Sequence, residues 1–228
     1  MKKPCKEVEK MKKLAIWDMD GTLTDTMEIW ATLSSELLKS LGVEPPADLD
    51  QRIGIIGIRQ AVKFLREEFA LPLSDEALYG KLSDVLCKYY SSGITVKPGV
   101  TAILDDLTGN NITCVVLSAT IGIGLETALN STGLAKYFGS NVISCEDLRM
   151  HKSNISTFES VMEKYGATAD ETVVFEDALY AVKTAKAAGC TVCAVKDRFE
   201  KRSDEVKAIA DHFFESWENF NFKEIIEK

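Results

Sequence analysis

Two aspartates, Asp18 and Asp20, stand one residue apart at the end of the apolar run "LAIW", and Gly21 follows them. Carboxylates this close repel each other unless a cation or a proton compensates their charge. Other apolar runs also end in reactive side chains: Ser118 after "TCVVL", Lys152 shortly after "NVIS", and Glu176 and Asp177 after "TVVF". If the fold gathers these groups, they form a strongly negative pocket.

Such a pocket suits phosphoryl transfer. Mg²⁺ binds oxygen ligands together with water and substrate phosphate, and it relieves the repulsion between carboxylates. One aspartate can attack phosphorus to form an aspartyl-phosphate, while a metal ion, a lysine and a hydroxyl hold the phosphoryl oxygens. A second aspartate can protonate the leaving oxygen and later deprotonate water. The residue types therefore predict a Mg²⁺-dependent reaction on a phosphate ester.

The elements that must position these groups alternate along the chain. Apolar runs predict strands at 14–18, 112–118, 141–144, 172–177 and 191–195, and helical periodicity predicts helices at 98–108, 122–132, 154–165 and 178–188. This alternation predicts an α/β fold with a doubly wound, Rossmann-like parallel sheet and helices on both faces. Functional groups gather at the carboxyl ends of the strands in such sheets, so we expect the reactive side chains to meet there.

One segment breaks the alternation. Amphipathic stretches at 27–42, 58–70 and 74–90 predict helices without a convincing strand among them, and Ser74 and Asp75 are N-cap candidates. We predict an inserted all-helical domain at 26–94, within a core formed by 11–25 and 95–228. Residues 1–10 are interpreted as an N-terminal extension, because Met11 offers a second start.

Four motifs resemble those of the haloacid dehalogenase-like hydrolases. "DMDGTLTDT" resembles the first motif of that family, "VVLSAT" the second, "HKSNISTF" the third and "VVFEDALYAVKTAKAAG" the fourth. The resemblance covers most of residues 11–200. It implies the branch of phosphatases and beta-phosphoglucomutase-like proteins, in which a helical cap closes over the substrate.

The resemblance also implies roles for the residues of the first three motifs. Asp18 would be the nucleophile and a metal ligand, and Asp20 would be the general acid and base, with its backbone carbonyl on Mg²⁺. Ser118 would bind the phosphate with the backbone N–H of Ala119. Lys152 would pair with Asp18 and the phosphoryl oxygens.

In the fourth motif, the resemblance implies that Asp177 ligates Mg²⁺ and that Glu176 does so directly or through water. The second aspartate of the first motif separates branches of the family, because dehalogenating members lack it. The presence of Asp20 therefore implies a phosphotransfer member.

Three departures distinguish the chain from the mutase pattern. The mutases have a cap-linker histidine where this chain has Trp30, and a lysine where it has Ile121; their cap loop carries a lysine and an arginine where this chain offers only Arg59. We therefore predict a phosphatase of a small phosphorylated metabolite, with Arg59 as a substrate contact from the cap. A phosphomutase and a catalytically weak phospholigand-binding module are the alternatives.

Two other interpretations of the first motif are less favoured. Asp and Gly are turn residues, but a plain turn does not account for the reactive groups at the other strand ends. A calcium loop requires a glycine where this chain has Leu23 and a glutamate where it has Ile29.

The composition limits the partners. A net charge of -8 over 228 residues argues against nonspecific nucleic-acid binding. Without an apolar stretch near about 18 residues or a secretory leader, we expect a cytoplasmic protein, off the membrane, as a monomer or weak dimer. In that compartment we expect the six cysteines to be reduced thiols. "CTVC" at 190–193 has redox spacing, but a strand points these two side chains to opposite faces.

Overall fold

A single parallel sheet organises the computed structural model, which describes residues 11–53 and 56–226. Within those ranges its order is β3-β2-β1-β4-β5-β6. The strands are β1 (Leu14–Trp17), β2 (Thr113–Ser118), β3 (Val142–Ser144), β4 (Thr172–Glu176), β5 (Thr191–Val195) and β6 (His212–Phe214). The predicted parallel α/β core is confirmed. The edge strand β6 was not predicted, because its three half-buried residues form no apolar run.

Helices fill the connections between the strands. In the core these are α6 (Val100–Gly109), α7 (Gly122–Ser131), α8 (Ala135–Phe138), α9 (Cys145–Leu148), α10 (Ile155–Lys164), α11 (Leu179–Ala187), α12 (Ser203–Ile209) and α13 (Phe222–Ile225), with 3-10 turns at Ala169–Glu171 and Trp217–Asn219. The four core helices that the periodicity predicts correspond to α6, α7, α10 and α11.

The insertion after β1 is helical, as predicted. Its helices are α1 (Met27–Trp30), α2 (Leu33–Ser40), α3 (Leu49–Ile53), α4 (Ile58–Glu68) and α5 (Asp75–Tyr90). The helix predicted at 27–42 is in fact two helices, because Thr32 leaves helical geometry with φ -133°. The N-cap prediction for Ser74 is confirmed, since its hydroxyl accepts the Ala77 N–H at 3.1 Å. We call this insertion the cap.

Alternation along the buried strands divides the core between the two faces of the sheet. Trp17 and Phe175 pair in register on β1 and β4, and their rings stack at 3.7 Å on one face. That face packs in one continuous apolar cluster with the helices of the cap. Ile16 and Val174 belong to the cluster on the opposite face. The sheet is therefore buried on both sides, as its parallel topology requires.

The two chain segments that connect the cap to the core lie side by side. The Asp25 N–H donates to the Thr95 carbonyl at 2.9 Å, and the Lys97 N–H donates to the Leu23 carbonyl at 2.9 Å. The segment that enters the cap and the segment that leaves it are thus hydrogen-bonded to each other next to the first motif. None of the helices within the described ranges is both long and apolar enough to span a bilayer.

The two cysteines of "CTVC" are buried thiols, as the sequence predicts. Cys190 and Cys193 are free and buried, and burial raises the pKa of Cys190 to about 11. Cys5 lies outside the described residues.

Candidate active site

Lys152 forms hydrogen bonds with two carboxylates that are far apart in the sequence. Its ammonium donates to Asp18 Oδ1 and, at 2.5 Å, to Glu176 Oε1. All three side chains are buried. Burial lowers the pKa of Lys152, but the two carboxylates outweigh burial and hold it well above its ordinary value. The lysine is therefore a fixed positive charge at the ends of β1 and β4.

The fourth motif supplies two carboxylates with separate anchors. Glu176 Oε2 accepts the backbone N–H groups of Asp177 at 2.8 Å and Ala178 at 2.9 Å, at the start of α11. Asp177 Oδ1 accepts the hydroxyl proton of Thr22 at 2.8 Å. These bonds hold both carboxylates beside Asp18.

The carboxylate groups of Asp18, Glu176 and Asp177 form a compact acidic cluster. Each offers an oxygen, and these oxygens all lie within 4.8 Å of one another. Burial raises the pKa of Asp18 to about 7, with Lys152 opposing the effect, and burial with the charges of Glu176 and Asp18 raises the pKa of Asp177 well above its usual range. A buried, oxygen-only donor set that holds excess negative charge fits a hard divalent cation.

Gly21 allows the first motif to turn against this cluster. The Met19 carbonyl accepts the N–H groups of Leu23 and Thr24, both at 3.0 Å, so the chain folds back just after Asp18. Gly21 has φ +91°, and a Cβ there would lie 2.4 Å from Asp177 Oδ2. Only glycine satisfies both the left-handed backbone and the close approach.

Asp20 points into a different network. Its Oδ1 accepts the hydroxyl protons of Thr26 at 2.6 Å and Tyr90 at 2.8 Å, and its Oδ2 accepts that of Thr120 at 2.6 Å. All four side chains are buried. Burial, reinforced by the charge of Asp20, raises the pKa of Tyr90 well above its ordinary value, so the phenol remains a donor. The paired aspartates of the first motif thus have separate environments.

The second motif lies beside this network at the end of β2. Ser118 is buried, and its Oγ accepts the Thr120 N–H at 3.1 Å, whereas Ala119 is exposed. The hydroxyl of Ser144, at the end of neighbouring β3, donates to the Thr120 carbonyl at 2.8 Å. The loop after β2 is therefore held by the strand next to it.

Arg59, the predicted substrate contact, lies at the boundary between cap and core. Its Nε is 2.9 Å from Glu146 Oε1, and its guanidinium lies 4.8 Å from the ring centre of Tyr79. The side chain is 55% exposed. A cleft of about 290 Å³ opens here, lined by Ile56, Gly57, Arg59, Gln60, Glu146 and His151. In this arrangement Arg59 has a protein carboxylate as its partner.

The three side chains that donate to Asp20 were not predicted from the sequence. Thr26 and Thr120 stand inside the quoted first and second motifs, so their positions could have indicated that they lie in the site. Tyr90 gave no such indication: it is the last residue of an amphipathic cap helix, 70 residues from Asp20 in the chain.

Comparison with known proteins agrees with this geometry. The family model for "Haloacid dehalogenase-like hydrolase" matches residues 15–195. A phosphorylated carbohydrates phosphatase of Thermotoga maritima is 26% identical over 174 residues, covering 76% of this chain and 80% of the relative. A fructose-1-phosphate phosphatase of Escherichia coli is 26% identical over 186 residues, covering 79% of this chain and 95% of the relative.

A solved structure shares the fold. CbbY from Rhodobacter sphaeroides, solved in complex with phosphate, superposes with a TM-score of 0.77 at 18% identity and covers 92% of this chain and 96% of its own. A family model that spans most of the chain decides the assignment, and the shared fold agrees with it. The chain belongs to the haloacid dehalogenase-like hydrolase family, in its branch of phosphatases and beta-phosphoglucomutase-like proteins.

Proposed function

We propose that the protein is a Mg²⁺-dependent phosphatase that hydrolyses a small phosphorylated metabolite through an aspartyl-phosphate on Asp18. The observation that carries the proposal is the separation of the two aspartates. Asp18 lies against Lys152 in the acidic cluster, while Asp20 is held apart by hydroxyl groups. A nucleophile and a proton carrier need such different surroundings.

The metal site in this proposal uses the acidic cluster. Asp18, Glu176, Asp177 and the backbone carbonyl of Asp20 would hold Mg²⁺, which when bound neutralises charge on the phosphoryl oxygens. The donor set supports this assignment, because its carboxylate oxygens converge within 4.8 Å.

The protein's own groups supply the remaining steps. Lys152 orients Asp18 and pairs with the phosphoryl oxygens, which the Ser118 hydroxyl and the Ala119 N–H also bind. Asp18 attacks phosphorus, and Asp20 protonates the departing oxygen and then accepts a proton from the attacking water. The cap excludes bulk water when it closes, and Arg59 contacts the part of the substrate that extends into the cleft.

Phosphate release from a panel of sugar phosphates, nucleotides and phosphoglycolate tests this function. The wild-type protein should release phosphate from at least one substrate in a Mg²⁺-dependent manner, and Asp18→Asn should remove the activity while the protein stays folded. Full retention of activity in the Asp18→Asn variant would contradict the proposal.

The same panel separates the two alternatives. A phosphomutase would move phosphate within a sugar phosphate and would need a phosphorylated activator, whereas a binding module would bind without turnover. Trp30 argues against the mutase, because an indole N–H is only a donor and cannot replace the imidazole at that position.

A further inference from the structure

The last helix of the cap ends at a tyrosine that reaches the proton carrier. Tyr90 is fully buried at the end of α5, and its hydroxyl donates to Asp20 Oδ1 at 2.8 Å. Its backbone carbonyl accepts the Ser131 hydroxyl proton of core helix α7 at 2.7 Å. The tyrosine is therefore fixed to the core although it belongs to a cap helix.

The two oxygens of Asp20 differ in how many lone pairs remain free. Oδ1 accepts two hydrogen bonds, from Tyr90 and from Thr26 at 2.6 Å. Oδ2 accepts one, from Thr120 at 2.6 Å. A carboxylate oxygen has two lone pairs, so Oδ1 is saturated and Oδ2 has one position left for a proton.

We propose that Tyr90 is a positioning residue that fixes the rotation of the Asp20 carboxyl group and occupies Oδ1, so that Oδ2 is the oxygen that transfers the proton. The inference rests on the proposed role of Asp20 as the general acid and base. Thr26 assists at the same oxygen, and Thr120 sets the direction of the remaining lone pair on Oδ2.

The proton balance of both half-reactions passes through Oδ2. As Asp18 forms its bond to phosphorus, the bond from phosphorus to the leaving oxygen breaks, and the proton on Asp20 Oδ2 moves to that oxygen. Water then attacks phosphorus, Oδ2 takes a proton from the water, and the bond from Asp18 to phosphorus breaks. The Asp18 carboxylate and the protonated Asp20 are both restored.

Leaving-group dependence tests the inference, with Tyr90→Phe as the variant. An alkyl phosphate needs a proton on its leaving oxygen, whereas p-nitrophenolate leaves without one. Because general acid catalysis contributes about 100-fold or more, Tyr90→Phe should lower kcat for glycerol phosphate or a sugar phosphate by about tenfold to 100-fold, with KM little changed. The burst of p-nitrophenolate from p-nitrophenyl phosphate should keep nearly the wild-type rate.

Tyr137→Phe is the matched control. It removes a tyrosine hydroxyl that donates to an aspartate, Asp105, at 2.6 Å outside the Asp20 network, and it should leave both substrates unaffected. An equal loss on both substrates in Tyr90→Phe, or a loss confined to KM, overturns the inference.

A double-mutant cycle with Asp20→Asn supplies a second readout. If Tyr90 acts through Asp20, then adding Tyr90→Phe to Asp20→Asn should cause no further loss; multiplicative losses contradict the inference. Thr26→Val removes the other donor to Oδ1 and should show the same leaving-group pattern, which keeps the test valid if Tyr90→Phe misfolds. A wild-type protein that releases no phosphate from any substrate contradicts the proposed function instead.

Discussion

At the scale of single residues, the environment of Asp18 opposes its negative charge. Burial raises its pKa to about 7, and Lys152 is the cation that opposes this shift. Burial thus works against the ionised form that the proposed nucleophile needs, and a further cation beside Asp18 would favour that form. The environment of Asp18 thus links its nucleophilic form to the cation for which the acidic cluster is suited.

Gly21→Ala should damage this cluster beyond the cost of backbone strain. A Cβ at Gly21 would lie 2.4 Å from Asp177 Oδ2, whereas Gly42, with φ +75°, has open space around the same position. Both variants should lose about 1 kcal/mol from the strained backbone, measured by urea unfolding. Only Gly21→Ala should also weaken the apparent Mg²⁺ affinity, by about tenfold, in titrations of phosphate release.

Gly42→Ala is the internal control for this prediction, since it carries the same backbone strain away from the cluster. Equal Mg²⁺ affinities in the two variants contradict the role assigned to Gly21.

Most of the site follows from position at strand ends, but its second network does not. Asp18, Ser118 and the fourth-motif carboxylates directly follow apolar runs, so parallel topology brings them together. Lys152 comes later, after β3 and the short helix α9. The partners of Asp20 depend on the path of the cap. Tyr90 reaches Asp20 only because α5 ends against α7, a tertiary contact that no local pattern encodes.

At the scale of elements, the root of the cap is fixed by a buried ion pair. Lys97 lies in the exit segment, and its ammonium is 2.8 Å from Asp197 Oδ2, with side chains only 10% and 1% exposed. The same segment pairs with Leu23 through its backbone. The connection between cap and core is therefore held close to the first motif.

Lys97→Met should destabilise the protein strongly. Removing one partner leaves the Asp197 charge buried without its cation, which costs about 3 kcal/mol or more. Lys183→Met, which breaks an exposed pair with Glu205, should cost less than about 1 kcal/mol. Urea unfolding of both variants checks the prediction, and similar losses would contradict a structural role for the Lys97 pair.

The buried elements of the core could be predicted from the sequence, whereas some short elements could not. Strands β1 to β5 are continuous apolar runs that both faces of the sheet bury, so hydrophobicity alone identifies them. Helix α3, at Leu49–Ile53, and edge strand β6 are short and mostly half-buried or exposed, and their positions are fixed by packing. The break at Thr32 depends on one backbone angle, which periodicity does not encode.

At the scale of the whole molecule, an ion pair between Arg59 and Glu146 lies at the cleft between cap and core. Arg59 of α4 contacts Glu146 of α9, and the cleft opens beside them. Opening the cap would separate the two side chains. The pair therefore favours the closed arrangement by a small amount, because the Arg59 side chain is more than half exposed.

Glu146→Gln should affect substrate binding more than stability. The free energy of unfolding should fall by less than about 1 kcal/mol, while KM should rise several-fold because the closed state is less populated. Glu215→Gln removes an exposed core pair with Lys196 and should leave KM unchanged. Steady-state kinetics and urea unfolding measure the two effects. An unchanged KM in Glu146→Gln would contradict the proposal that the Arg59–Glu146 pair favours the closed cap.

The proposed covalent aspartyl-phosphate on Asp18 can be trapped during turnover. The protein, mixed with Mg²⁺ and a substrate from the panel, is quenched in acid within the first turnover, and its peptides are analysed by mass spectrometry. One phosphoryl group is expected on the peptide that contains Asp18, and it should be absent from Asp18→Asn and from samples without Mg²⁺. Phosphate release by the wild-type protein with no phosphorylated Asp18 peptide at any quench time, or with the phosphoryl group on another residue, would contradict the proposed mechanism.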